Sequence, residues 1–304
     1  MRIAVIDLGT NTFHLLIAEI NGSNFETIYK TNVPVKLGEG RINEHIIIPA
    51  AFERGVRCLE TFAQTIKSFD VDIIRATATS AIRSAQNGAE FIQSVLQRTE
   101  IVIQIISGDE EAELIYKGVK LSGAITDLSL IMDIGGGSVE FILCDTKNLI
   151  WKKSYNIGAA RLAQLFFHSD PINDSDKNNI LHLIQTQLED LFQVCEEYQP
   201  KTLIGSAGAF ETFAELIINK TNDHVDVSKA KTYVFNFDDY IETSIALLNK
   251  NHSERAAMKG MIPLRVDMIV VAALITNYVL GRAKINKLVL STYDLKMGSV
   301  ANYL

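Results

Sequence analysis

The sequence predicts an α/β protein built from two halves, on three observations. Strand-like and helix-like segments alternate along the chain, the pattern of α/β architectures. A hairpin near the N-terminus, Ile3-Ala-Val-Ile-Asp7-Leu-Gly9-Thr-Asn-Thr12, is answered by Leu130-Ile-Met-Asp133-Ile-Gly135-Gly-Gly-Ser138, offset by 126 residues from Asp7 to Asp133. That period is too long for a solenoid and predicts two α/β lobes. At 304 residues and 47% hydrophobic content, the chain can bury cores for about two domains.

Each element has its local reason. Met1–Asp7 has one basic residue and an apolar run, Ile3–Ile6, closed by an acid, and each hairpin copy reads strand, Asp-x-Gly turn, hydroxyl residue, strand. A third strand follows near Phe25–Val33. A helix from Pro49 to about Phe69 has proline in its first turn and apolar residues at helical spacing. Val71–Ala76 and Val102–Ile106 are short buried strands, and the capping box Ser107-Gly-Asp-Glu110 opens a helix to about Lys120. Small residues near Leu121–Ala124 mark the boundary, which gives domains 1–123 and 124–304.

In the second half, Leu128–Asp133 and Glu140–Cys144 are strands around the glycine turn. Asn173-Asp-Ser-Asp precedes one long amphipathic helix ending near Tyr198, with Pro200 as its stop. Lys201–Gly205 is a strand leading through Ser206-Ala-Gly208 into another helix. Thr232–Phe235 and Lys287–Ser291 are further strands, separated by a helix from about Arg265 to Leu280 with Gly281 as its C-terminal stop.

The net charge of −7 argues against nucleic-acid binding through a general basic face. Cys58, Cys144 and Cys195 have no C-x-x-C spacing and read as free thiols of a reducing compartment, so the expected location is the cytoplasm. The N-terminus has a strand pattern and not that of a signal peptide. Met268–Ile275, the most apolar later run, is too short to span a bilayer, so no membrane partner is expected.

The three successive glycines Gly135, Gly136 and Gly137 pose the chemical question, because glycine weakens a strand interior. A glycine turn can present several backbone N–H groups to one concavity, a generic anion site, and Thr10, Thr12 and Ser138 add hydroxyl donors. Asp7 and Asp133 beside such turns would repel phosphate unless a divalent cation mediates, so the pairing of acid and amide suggests Mg²⁺ with phosphate. No Walker-type phosphate loop and no H-E-x-x-H occur, and Gly135-x-Gly137-x-x-Glu140 misses the third glycine of the dinucleotide pattern.

Four stretches resemble the exopolyphosphatase and guanosine pentaphosphate phosphohydrolase (Ppx/GppA) family, a branch of the actin-like superfamily. They are Ile6-Asp-Leu-Gly-Thr-Asn-Thr-Phe-His-Leu-Leu16, Ala78-Thr-Ser-Ala-Ile-Arg83 with Asn87-Gly88, Ile106-Ser-Gly-Asp-Glu-Glu-Ala112, and Met132-Asp-Ile-Gly-Gly-Gly-Ser-Val-Glu140, in family order. The resemblance implies two actin-like (ribonuclease H-like) lobes with an active-site cleft between them. It also implies Mg²⁺-dependent hydrolysis of the terminal phosphoanhydride of inorganic polyphosphate, or of the 5′ γ-phosphate of guanosine pentaphosphate. Glu111 matches the family's catalytic carboxylate, which readies the attacking water. Asp133 and Glu140 match acidic positions placed near the metal, with Asp7 in reserve. Gly9, Thr10, Asn11, Thr12 and Gly135, Gly136, Gly137, Ser138 would cradle phosphates, and Arg83 matches an arginine aimed at the anions. A homodimer is expected from the resemblance alone.

The chain also departs from the family. Gly205-Ser-Ala-Gly208-Ala-Phe210 keeps the glycines but sets a bulky ring where a purine would approach, which disfavours a nucleotide substrate. Asp294-Leu-Lys-Met-Gly298 replaces a Leu-Arg-Glu-Gly pattern, so no function is assigned there. With Leu304 as its last residue, the chain lacks the C-terminal helical domains of long members, and reduced processivity is expected. Two other readings stay open: a sugar-kinase-like phosphotransferase using ATP, which needs an adenosine pocket, and a non-enzymatic nucleotide-binding sensor, which has no need of Glu111.

Overall fold

The computed structural model describes residues 1–304 except Ala207, Asn222 and His224. The first half contains β1 (Arg2–Leu8), β2 (Phe13–Asn21), β3 (Asn24–Val33), α1 (Pro49–Lys67), β4 (Ile73–Ala78), α2 (Ser80–Ser84), α3 (Gly88–Thr99), β5 (Ile103–Ile105) and α4 (Gly108–Ser122). The second contains β6 (Ser129–Ile134), β7 (Val139–Cys144), β8 (Leu149–Tyr155), α5 (Ala159–Phe166), α6 (Asp174–Gln187), α7 (Glu189–Tyr198), β9 (Thr202–Ser206) and α8 (Gly208–Thr221). It continues with β10 (Thr232–Val234), α9 (Phe237–Asn249), α10 (His252–Ala256), α11 (Met268–Ala283), β11 (Leu288–Ser291) and α12 (Leu295–Ala301).

The duplication extends well beyond the hairpin. The first sheet has the order β3-β2-β1-β4-β5 and the second β10-β11-β9-β6-β7-β8. In each, three antiparallel strands are followed by parallel neighbours: β4 joins β1 as β9 joins β6. Asp7 faces His14 across the first hairpin and Asp133 faces Glu140 across the second, so the same register sets both pairs. Parallel strands need both faces covered, and β6, β7 and β9 are buried along their whole length.

The first sheet packs Ala4, Ile6, Leu15 and Ile17 against α1 and α3 through Val56, Leu59, Phe62, Phe91 and Val95. The second packs Leu130, Met132 and Phe141 into a larger core with the helices that follow it. The remaining faces exchange partners. Ile115 and Val119 of α4 pack on Ile131, Ile142 and Ile204 of the second sheet, whereas Met297 and Val300 of α12 pack on Ile3, Val5 and Leu16 of the first. The two helices touch backbone to backbone: a methyl group on Gly118 would overlap the Asp294 carbonyl, and one on Gly298 would overlap that of Leu114. Only glycine permits that approach.

Two sequence expectations need correction. The helix drawn from Asn173 to Tyr198 is two helices, broken at the buried Leu188, which caps both with φ −100° and ψ 18°. Gly281 does not stop its helix; α11 runs on to Ala283 and ends at Lys284, whose left-handed φ of 54° lets its N–H reach the Gly281 and Leu280 carbonyls. Among the described residues no helix is long and apolar enough to cross a membrane.

Candidate active site

The two glycine turns line one cavity of about 220 Å³, together with Asp7, Glu111, Asp133, Asp294 and Lys296. They nearly touch. A methyl group on Gly136 would meet Thr10 Cβ at 2.9 Å and overlap the Asn11 amide. The run of glycines therefore serves close approach, and none of the three has a positive φ.

The direction of the turn amides follows from what their carbonyls bind. Ala159 N–H donates to Gly135 O (2.9 Å), Ala160 and Arg161 N–H donate to Gly136 O (2.9 and 3.0 Å), and Arg161 Nε donates to Gly137 O (3.1 Å). In a trans peptide the N–H points opposite to the C=O. The amides of Gly136, Gly137 and Ser138 are thus turned away from α5. The first turn repeats the device with a different clamp: Gly38 N–H donates to Thr10 O (3.0 Å) and Lys36 N–H to Asn11 O (2.8 Å), which turns the Asn11 and Thr12 amides the other way. Each turn is closed by a matching bond, Gly9 N–H to Thr12 O and Gly135 N–H to Ser138 O. Amides held in fixed directions on two facing turns are the kind of donor set that can bind an anion without reorganisation.

Glu111 enters this cavity from the first turn of α4. Ser107 and Glu110 satisfy each other's N–H groups in a capping box, so Glu110 carries the capping role and the next residue is free to point inward. The Glu111 carboxylate is buried and accepts from Arg83 Nη1 at 2.8 Å. Burial, and then the neighbouring Glu140, hold it well above the usual carboxylate range against the pull of Arg83. Arg83 also donates to Ile106 O (3.0 Å). Both bonds come from Nη1, so this one nitrogen ties Arg83 to Glu111, and Arg83 is not among the cavity-lining residues.

Asp133 is pushed up to about 8 by burial, with Asp294 and Glu111 adding to it. Glu140, its cross-strand partner, is pushed up to about 7 by burial and by Asp133, and accepts from Ser154 Oγ at 2.7 Å. Glu140 lies just behind the lining, not in solvent. Two facing buried acids are a donor set suited to Mg²⁺, which takes one or two carboxylates and keeps water and phosphate oxygens for its other positions. Among the described residues no group of three or more His, Cys, Asp or Glu side chains forms a closed metal cage.

The structure adds residues that the motifs did not indicate. Arg161 clamps Gly137 and reaches Asn43 Oδ1 (3.2 Å), while Gln164 Nε2 reaches Gly38 O (2.9 Å), so α5 ties the second turn to the loop that clamps the first. Lys296 is buried in the cavity wall and paired with Asp294. Its position within the divergent segment 294–298 is the one signal the sequence offered. Phe210 differs from expectation: it is fully buried beneath Gly205 and stacks edge-on against Phe213, so its ring faces the core. Gly208 and Ala209 line the cavity in its place, beside Leu264, Met268, Ile269 and Ala272. Ala207, within the same segment, lies outside the described residues.

Comparison with known proteins agrees with this geometry. Residues 16–304 match the model of the Ppx/GppA phosphatase family. The crystal structure of an exopolyphosphatase from Cytophaga hutchinsonii superposes with a TM-score of 0.96 at 35% identity, covering 100% of this chain and 99% of that one. The bifunctional 3-dehydroquinate synthase/phosphatase of Fusobacterium nucleatum is 31% identical over 98% of this chain. The guanosine-5′-triphosphate,3′-diphosphate pyrophosphatase of Pseudoalteromonas atlantica is 31% identical over 71% of it. The chain spans only 46% and 43% of the lengths of these last two relatives.

Proposed function

This chain belongs to the Ppx/GppA phosphatase family, and from that premise we propose that it is an exopolyphosphatase, releasing phosphate from the end of inorganic polyphosphate. The observation that carries the reading is the pair of amide turns aimed into one cavity beside the buried carboxylate of Glu111. The two sheets with their helices are read as the actin-like lobes 1–123 and 124–304, with α4 and α12 packed across on the opposite sheet and the cleft at the turns. The protein is read as cytoplasmic, in keeping with three buried free thiols, and a homodimer stays a proposal of the family resemblance.

The terminal phosphate sits between the turns, its oxygens bound by the Gly136, Gly137, Ser138, Asn11 and Thr12 amides. Glu111, oriented by Arg83, positions a water in line with the bond to the next phosphate and takes its proton as the oxygen bonds to phosphorus. The anhydride P–O bond breaks, and the shortened chain leaves with the electron pair. Asp133 and Glu140 would hold Mg²⁺, which supplies positive charge to the phosphate oxygens when bound. The amides carry no charge, so the turns bind the anion by dipoles fixed in advance.

A second substrate, guanosine pentaphosphate, is favoured by one observation: with Phe210 turned into the core, the apolar wall of Ala209, Leu264, Met268 and Ile269 is open to a purine. The test is phosphate release from polyphosphate and from guanosine pentaphosphate with Mg²⁺. Glu111→Gln should lower kcat by about 100-fold or more on either, at the low end of general-base contributions, with little change in substrate affinity. Equal turnover by the variant removes Glu111 from the mechanism.

A further inference from the structure

We propose that Ser80 is a phosphate-binding residue, its hydroxyl donating to an oxygen of the anion held between the two turns; the inference rests on the reading of this cavity as a phosphate site. Ser80 is the first residue of α2, beyond the end of β4, and is 3% exposed. Its Oγ has no hydrogen-bond partner among the described residues, although it lines the cavity. A buried hydroxyl left unpaired is costly, and such groups are otherwise satisfied in folded proteins. The position of this one says what would satisfy it. A methyl group on Gly137 would overlap Ser80 Oγ and meet Thr10 Oγ1 at 2.9 Å, so the hydroxyl stands where the two turns converge.

Among the described residues Ser206 Oγ and Thr243 Oγ1 are also buried without a partner, but neither lines this cavity, as Ser80 does, and the hydroxyls neighbouring Ser80 are paired. On the same short helix Ser84 Oγ donates to Ser80 O (2.8 Å), and one residue earlier Thr79 Oγ1 donates to Leu8 O (3.3 Å). Both are paired to the protein. Ser80 alone of the three keeps its proton for a guest, and an oxyanion between the turns is an acceptor that completes it. Arg83, three residues on, orients Glu111. This one turn of helix then serves both the anion and the carboxylate that readies the attacking water.

The experiment uses Ser80→Ala and Ser80→Cys in the full chain, with inorganic phosphate as the probe and Tm as the first readout. A phosphate ligand raises the wild-type Tm by mass action. Ser80→Ala should remove most of that rise while leaving the ligand-free Tm equal to wild type or higher, since an unpaired buried hydroxyl has been deleted. In the hydrolysis assay kcat/KM should fall roughly 10- to 100-fold, the range for a hydrogen bond to a charged group. Ser80→Cys keeps the volume with a weaker donor, should fall between the two, and serves if the alanine variant does not fold. Retention of the full phosphate response, or a lower ligand-free Tm in the variants, overturns the proposal. If the wild type hydrolyses neither polyphosphate nor guanosine pentaphosphate but its phosphate response depends on Ser80, the catalytic reading fails and the binding site stands.

Discussion

The two hairpins share a register and differ in their charges. In the second, two acids, Asp133 and Glu140, face each other, and burial holds both above the usual carboxylate range despite the opposing pull of Lys296 on the one and Arg83 on the other. In the first, Asp7 faces His14, and the buried Lys296 stands near both. Burial pushes Asp7 up to about 6 even so, because Lys296 opposes that rise while being shared with Asp294. His14 is held well below its ordinary value, by burial and then by Lys296, and stays neutral. The duplicated backbone thus pairs an acid with a neutral imidazole beside Lys296 on one side and sets two acids against each other on the other.

The largest effect expected from breaking that asymmetry is on stability. Burial alone would raise Asp294, yet Lys296 holds it below the usual carboxylate range, and the pair is nearly out of solvent. Lys296→Met leaves that carboxylate uncompensated and should cost about 3–5 kcal/mol in a denaturant titration. The double variant with Asp294→Asn should recover most of the loss; failure to recover it would mean that the lysine stem, not its charge, is what the fold needs.

Next comes metal affinity. Asp133→Asn should weaken Mg²⁺ binding, read by calorimetry, by at least about 100-fold, the upper end of what outer-shell changes cost. Asp7→Asn should cost roughly tenfold or less, because Lys296 already serves that side. Equal losses in the two variants would erase the distinction between the hairpins.

The smallest effect is a pH dependence. Asp133, Glu140 and Asp7 have folded-state values above those of an unfolded chain. The stability they contribute is full below about pH 4 and is lost as pH rises through about 6 to 8. Without Mg²⁺ the Tm should therefore decline across that window, less steeply in Asp133→Asn, and Mg²⁺ at pH 8 should restore it. A flat profile would show that the acids are already neutralised within the protein.

Much of this was legible in the residues, for identifiable reasons. The hairpin repeat is local, so Asp7 and Asp133 could be matched from the residues, whereas Asp133 and Glu140 came together only through the family resemblance, and their cross-strand pairing is a finding of the structure. The capping box separated Glu110 from Glu111 by geometry alone. What failed was tertiary. Leu188 continues an apolar helical pattern, and only packing shows that it bends the chain. Phe210 lies in a loop-to-helix segment where the sequence gives no facing; the space beneath Gly205 decides it. Arg161 is a single basic residue whose partners, Gly137 and Asn43, lie in distant turns and loops that no spacing rule reaches, and Lys296 pairs with the nearby Asp294 in a way that only the burial of both makes significant. The resemblance aims Arg83 at the anions, and the structure adds its bond to Glu111, which no motif announced.

The contact of Gly118 with Gly298 has a mechanical meaning. Two helices that meet with no side chain between them cannot be drawn apart without opening a void. One carries Glu111 in its first turn and the other carries Lys296, so the separation of the buried acid from the buried cation is set by main chain against main chain and not by flexible side chains.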